Sequence, residues 1–476
     1  MHELVVKGGR VALDDGWAEC DIGVVGGRIA ALGSGLAGKT VIDATGRWVM
    51  PGGIDSHCHL DQPPWGDALM ADDFLSGSVS AAFGGNTCII PFAMPAPEMT
   101  TLEALDRAFD RAAGRSVIDY GLHAVITTAT GPDLDPQFAR LAEAGIPSVK
   151  VFMTFAPLAV DDDLFLSVLD SARRASFLVM VHAENDAAIR RTRQRLLDLG
   201  RNDLRYHTIA HAEVMEREAT HRAIALAEIT GARAAILHVS CAQAAEEIAR
   251  GKQRGVDVLA ETCPQYLFLA ASDLDQKPSE AARYIFSPPP RSRTSQEYLW
   301  QALAEGDIDL WSSDHSPFRL ADKLPDPDHP SFDKAVSGIP GLETRLPLLF
   351  SEGLLTGRLS LARYLDLTSR NAADVYGLAH AKGRIAVGLD ADLALWDPKV
   401  RWRLAGETLH SNVDFTPFEG REVTGKVTDV LVRGMPVIVD GTLKAQSGSG
   451  VFVARKPAER SRFRRPIEET TPWLDR

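Results

Sequence analysis

The chain has 476 residues, too many for one ordinary small domain, and its 64 acidic against 51 basic side chains give a formal net charge of −13. That balance argues against nucleic acid or an anionic membrane as the main partner. Hydrophobic residues at 45% and charged residues at 24% match a soluble globular enzyme, and no apolar run is long enough to span a bilayer.

The opening residues, Met1-His2-Glu3-Leu4-Val5-Val6-Lys7, show no charged leader followed by an apolar stretch. The five cysteines (Cys20, Cys58, Cys88, Cys241, Cys263) are scattered and odd in number, which suits reduced thiols in a cytoplasm. Residues 3–7, 11–13, 18–25, 28–32 and 40–43 read as short strands, with Gly8-Gly9 and Gly26-Gly27 at the turns. The same texture returns from 383 to 438, in 391–396 and 427–432. Residues 1–50 plus 383–445 are therefore expected to form one small β-sandwich from both chain ends.

Between them, apolar strand-like runs occur at 53–57, 87–92, 121–127, 148–153, 178–182, 235–239, 256–261 and 308–313. Helical stretches intervene, among them 102–113, 163–175, 212–229 and 242–254. Eight buried parallel strands separated by helices predict an α/β fold, a closed TIM (β/α)8 barrel over 51–382. The connections after the fifth and seventh strands are long enough for extra helices. The last part, 446–476, is expected to be an extended tail. From Arg455 it is charged and contains Arg460, Arg462, Arg464, Arg465 and Pro466, an arm either disordered or wrapped on a neighbouring subunit.

In such a barrel the active site lies at the C-terminal ends of the strands. Four of the thirteen histidines fall there: His57, His59, His182 and His238. His57 and His59 are two apart, so on a strand both rings point to one side and can reach one metal while Cys58 points away. An isolated HxH pair is as easily a chance surface pair. Lys150 lies in the apolar run Pro147-Ser148-Val149-Lys150-Val151-Phe152. It either snorkels or pairs with an acid, or it carries CO2 as a carbamate, which removes a costly buried cation and supplies an anionic bridge between two dications. His182 and His238 each end an apolar run. Singly each reads as a hydrogen-bonded core histidine; together they suit a second metal. Asp314 either caps the following turn or acts in metal ligation or proton transfer. Imidazole and carboxylate donors suit zinc, with Mn, Co, Ni or Fe as alternatives.

These segments carry a resemblance. The sequence resembles the cyclic amidohydrolases of the dihydropyrimidinase and D-hydantoinase type from about Leu4 to Pro457. The match rests on Pro51-Gly52-Gly53-Ile54-Asp55-Ser56-His57-Cys58-His59, Ala71-Asp72-Asp73-Phe74, Lys150-Val151-Phe152-Met153, His182-Ala183-Glu184-Asn185, His238-Val239-Ser240, Glu261-Thr262-Cys263-Pro264-Gln265-Tyr266, Ser287-Pro288-Pro289 and Ser313-Asp314-His315. The resemblance implies a TIM barrel with a β-sandwich, two divalent metals and an N-carboxylated Lys150. His57, His59 and Asp314 would join the carbamate at one metal, and His182 and His238 at the other. It implies Asp314 as the catalytic proton carrier, a homotetramer or homodimer, and opening of a hydantoin or dihydropyrimidine to an N-carbamoyl amino acid.

The chain departs from this pattern among the substrate contacts. The pattern has a tyrosine where Phe155 stands, and a phenyl ring cannot donate a hydrogen bond. Ser337 stands where an asparagine is usual, while Ser287 matches. A cyclic imide or an allantoin-like ureide is therefore an alternative substrate. A non-catalytic scaffold relative is a more distant alternative, because such relatives lose metal ligands. Lys150 and the Gln265-Tyr266 segment argue against a mononuclear deaminase.

Overall fold

The computed structural model describes residues 1–131, 133–156 and 158–457. Two sheets form the β-rich unit. The smaller has the strand order Arg28–Gly33, Asp21–Val25, His2–Lys7, Gly38–Asp43. The larger runs Thr442–Leu443, Met435–Val439, Glu422–Val432, Leu393–Arg403, Trp48–Pro51, Arg10–Leu13, Gly16–Glu19. The two chain ends meet where Leu393–Arg403 pairs antiparallel with Trp48–Pro51, with Ala394 opposite Met50. Leu4, Val6, Ile22, Val24 and Ile29 of the first sheet pack on Val11, Val49, Leu393, Leu395 and Leu431 of the second. These residues recur at every second position, which is what lets each sheet turn one apolar face inward.

The middle of the chain forms eight parallel strands in a barrel. They are β1 (Gly53–Cys58), β2 (Asn86–Ala93), β3 in two pieces (Asp119–Tyr120 and His123–Val125), β4 (Ser148–Phe152), β5 (Leu178–His182), β6 (Arg233–Ile236), β7 (Val258–Thr262) and β8 (Leu310–Trp311). Each pairs in parallel with its neighbour in sequence order. The ring closes past β8: Asp314 donates its backbone N–H to His57 O at 2.9 Å, and His59 donates to His315 O at 2.8 Å. Continuous apolar runs suit these strands because helices cover their outer faces. The helix Asp162–Ala175 is typical. Asp161 caps it by accepting from Leu164 N–H, acids fill its first turn, and Arg173 and Arg174 sit in its last, each favourable to the helix dipole.

Two expectations need correction. The third strand was expected unbroken over 121–127, but it parts at Gly121-Leu122. The Arg455 guanidinium occupies that gap. A Cβ at residue 121 would lie 3.1 Å from Arg455 Nε, and Arg455 donates to the Leu122 carbonyl. Arg455 itself was expected to begin an extended arm, either disordered or wrapped on a neighbouring subunit. It is buried, and it also donates to Ser148 Oγ at 3.0 Å. The chain leading to it runs along β3, with Tyr120 N–H donating to Val451 O and Val453 N–H to Tyr120 O. An arginine with several backbone carbonyls to satisfy is here a barrel plug, a role its charge alone does not reveal. Arg460, Arg462, Arg464, Arg465 and Pro466 lie outside the described residues.

Lys382 joins the two units. Its ammonium lies 2.7 Å from Asp119 on β3, 2.7 Å from Asp392 and 3.1 Å from Asp390, and Arg433 also reaches Asp119. Three carboxylates this close would suit a cation, and Lys382 supplies one covalently.

Candidate metal centre and cavity

The C-terminal ends of the strands bring together the six residues singled out in the sequence. His57 lies on β1 and His59 one residue past its end, both facing one side. His57 Nε2 lies 3.0 Å and His59 Nε2 3.3 Å from the same oxygen, Asp314 Oδ1. Lys150, the middle residue of β4, places Nζ 3.3 Å from His57 Nε2 and 4.3 Å from the centre of the Phe92 ring. The His182 and His238 rings lie 4.4 Å apart, and His238 is 5.5 Å from His57. His57, Lys150, His182 and His238 are buried.

The electrostatics of this cluster are unbalanced. Burial lowers the Lys150 pKa to about 8 and that of His59 to about 4. Burial alone would raise the Asp314 pKa, but His57, His59 and His238 outweigh it and hold that carboxyl well below the usual carboxylate range. Both ring nitrogens of His238 are buried and without a hydrogen-bond partner among the described residues. An unpartnered buried imidazole costs about 1–3 kcal/mol, and a ligand with an empty orbital would relieve it. His57, His59 and Asp314 offer donor atoms all within 4.8 Å of one another. Backbone strain marks the same place: His238 (φ +40°), Asp314 (φ +49°) and Phe155 (φ +68°) all adopt the left-handed region, at about 1–3 kcal/mol each. The donor set and the orphaned nitrogens fit divalent metal.

Two carboxylates were quoted in the sequence motifs without a role. Glu261, near the end of β7, accepts from His57 Nδ1 at 2.6 Å and is fully buried. Glu184 accepts from His182 Nε2 at 2.8 Å. Each holds the far nitrogen of a histidine and so fixes which nitrogen faces the cluster. The signal available was an ionisable residue inside, or two positions beyond, an apolar strand.

A cavity of about 720 Å³ opens above the cluster, within the range of about 300–1,000 Å³ common for small-molecule sites. His59, Lys150, His182, His238 and Asp314 line its floor. Phe155, Ser287 and Ser337 line it as well. The two serine hydroxyls are 3.1 Å apart, and the Phe155 ring packs edge-on against His182 at 4.9 Å. Trp65, Met70, Met94, Phe318 and Phe332 make much of the remaining wall apolar.

Comparison with known proteins agrees with this fold. Residues 48–437 match the model of the amidohydrolase family. A D-hydantoinase from Geobacillus stearothermophilus is 40% identical over 458 residues, covering 96% of this chain and 97% of the relative. A solved D-hydantoinase from a Bacillus species superposes with a TM-score of 0.92 at 40% identity, over 96% of this chain and all of the other. A solved dihydropyrimidinase from Brevibacillus agri gives 0.92 at 37% identity, over 96% and 99%. With the barrel, the histidine and aspartate cluster and the cavity in place, the chain belongs to the amidohydrolase family.

Proposed function

We propose that the protein is a binuclear metal hydrolase that opens the ring of a cyclic amide, a hydantoin or dihydropyrimidine, to an N-carbamoyl amino acid. The observation that carries this reading is the convergence of His57, His59, Lys150, His182, His238 and Asp314 at one end of the barrel. It is supported by near full-length similarity to relatives named D-hydantoinase and dihydropyrimidinase. His57, His59 and Asp314 would hold one metal and His182 and His238 the other, with Lys150 between them. Zinc suits the donors, and Mn, Co, Ni or Fe are alternatives. Bound metal supplies Lewis acidity, which makes water nucleophilic near neutral pH and polarises a carbonyl.

The residues of the chain divide the remaining work. Lys150 has its pKa lowered by burial to about 8, so its neutral amine is accessible near physiological pH. That nitrogen can add to CO2 and lose a proton, giving a carbamate whose oxygens are anionic. Glu261 and Glu184 keep His57 and His182 in the tautomers that present a lone pair to the centre. Asp314 is placed to take a proton from the attacking water and return it to the leaving nitrogen. Ser287 and Ser337, at the cavity wall, can donate to carbonyl oxygens of the ring. The apolar walls exclude water and leave space for a substituent. By the family resemblance the protein would assemble as a homotetramer or homodimer, and five free cysteines suit a cytoplasmic enzyme.

Steady-state hydrolysis of hydantoins, dihydrouracil, succinimide and allantoin tests the substrate. Ring opening of hydantoin or dihydrouracil is expected to lead. Preference for succinimide or allantoin would move the assignment to an imide or ureide hydrolase, the direction that Phe155 and Ser337 favour. Asp314→Asn should lower kcat by about a hundredfold or more with the fold intact by circular dichroism; near wild-type turnover would remove Asp314 from the proton path.

A further inference from the structure

Lys323, the last residue of the short helix Leu320–Lys323, has a fully buried side chain. Its Nζ lies 2.7 Å from the carbonyl oxygen of Ile285, 2.9 Å from that of Val336 and 2.6 Å from that of Gly338. Three carbonyls match the three N–H groups of an ammonium. Burial pulls its pKa down to about 7, and a neutral amine would still donate two of the three bonds. Burying a lysine is costly, and an apolar side chain would fill the same space. What the lysine adds is a junction of three backbone groups.

Those groups belong to two separate segments. Ile285 lies two residues before Ser287, and Val336 and Gly338 flank Ser337. The backbone repeats the tie: Val336 N–H donates to Lys323 O at 3.0 Å, and Gly338 N–H to Ile285 O at 3.1 Å. Gly338, at φ +142°, presses on Ser316, where a Cβ would lie 2.6 Å from Ser316 Oγ. The segments so joined carry the two serines of the cavity wall, whose hydroxyls are 3.1 Å apart. Lys323 is not among the residues that line the cavity. A serine hydroxyl sits one rotatable bond from its backbone, in one of three staggered positions, so its place follows from where the flanking backbone is held. At this separation one hydroxyl gives its hydrogen to the other, and the second hydrogen remains for an acceptor in the cavity.

We propose that Lys323 is a positioning residue: it sets the spacing of Ser287 and Ser337, and so how tightly the cavity holds the carbonyl oxygens of the ring, without touching the substrate. The proposal rests on the ring-opening reading above and deepens it. No sequence motif points to Lys323; it emerges from the three carbonyls it gathers.

The test measures kcat and KM of wild type, Lys323→Met, Lys323→Gln, the double variant Ser287→Ala/Ser337→Ala and the triple variant that adds Lys323→Met to it. The substrates are hydantoin, dihydrouracil and succinimide; where turnover is lost, the Kd of the ring is measured by calorimetry instead. Metal content and the urea midpoint are determined for every variant. Lys323→Met keeps an unbranched stem and removes every donor. It should raise KM about tenfold, the effect of losing a hydrogen bond to the ring, and leave kcat within about twofold. Its metal content should equal that of wild type. Lys323→Gln, whose amide can donate twice, should recover part of the loss. In the double-serine background Lys323→Met should raise KM no further, because the groups it positions are gone. An equal rise with and without the serines, no rise, a fall in kcat at unchanged KM, or a fall in bound metal would overturn the proposal. So would failure of both Lys323→Met and Lys323→Gln to fold, which would place Lys323 in the fold alone. If the metal-loaded wild type opens none of these rings, the ring-opening reading falls and this role with it; if wild type is active and the effect of Lys323→Met ignores the serines, only the role of Lys323 falls.

Discussion

Burial does opposite things to the two kinds of ionisable group at the centre, and their neighbours decide the outcome. Lys150 loses protons more readily, to a pKa of about 8, because its ammonium is cut off from water. Asp314 stays ionised because imidazoles surround it. The result is an amine able to react with CO2 beside a carboxylate able to take protons. Lys150→Ala should therefore lose bound metal on purification, and metal analysis reads this directly; wild-type protein should show an added carboxyl group by intact mass under gentle ionisation. Full metal occupancy in Lys150→Ala would contradict the bridging role. Glu261 acts at one remove, through His57 Nδ1. Glu261→Gln should weaken metal affinity by about 10–100-fold, measured by competition with a chelator, while the barrel still folds.

At the scale of elements, the sequence is legible where periodicity and burial agree. β4, β5 and the helix Asp162–Ala175 fall within a residue or two of expectation, because an unbroken apolar run between helices has one good solution. β3 and β8 are shorter than expected. In β3 a long-range guanidinium takes the carbonyl that a neighbouring strand would have used. After β8, Ser313 N–H turns to Asp55 Oδ1 at 3.2 Å rather than continuing the ladder. Neither partner is local, so no window of sequence reports it. The same holds for the site. His57 and His59 announce themselves by spacing, whereas the link from Glu184 to His211 spans two separate segments. His207, in the short helix His207–Ala210, shows what such a segment contributes to stability. Burial lowers its pKa from 6.5 to about 3. Between those values the unfolded chain binds a proton that the folded chain refuses, so stability should be complete above pH 6.5 and fall as pH drops towards 3. His207→Gln can still donate to Phe286 O, which His207 Nε2 reaches at 2.9 Å, but does not titrate. Its unfolding free energy should fall less steeply over this range, by up to about 1.4 kcal/mol per pH unit. Parallel acid limbs in urea titrations would contradict this assignment.

At the scale of the whole molecule, the barrel and the sandwich are tied by charge as well as by apolar contact. Lys382 satisfies Asp119 from the barrel and Asp390 and Asp392 from the approach to the sandwich. Lys382→Met would leave three carboxylates facing one another, and unfolding should be easier by about 3–5 kcal/mol, seen as a lower urea midpoint. An unchanged midpoint would show that the cluster reorganises without cost. The alternation of short strands with a long βα middle already discloses the two-unit plan. The buried Arg455 and the Lys382 cluster do not show in that pattern, because charged residues read as surface until their partners are known. Among the described residues no helix is long and apolar enough to cross a membrane.

The central claim is that ring opening depends on metal held by the cluster at the end of the barrel. Hydrolysis of a cyclic amide that the purified protein turns over, measured before chelation, after chelation and after divalent metal and bicarbonate are restored, tests it most directly. Activity should vanish with the metal and return with it. Undiminished turnover in protein shown to hold no metal would contradict the account.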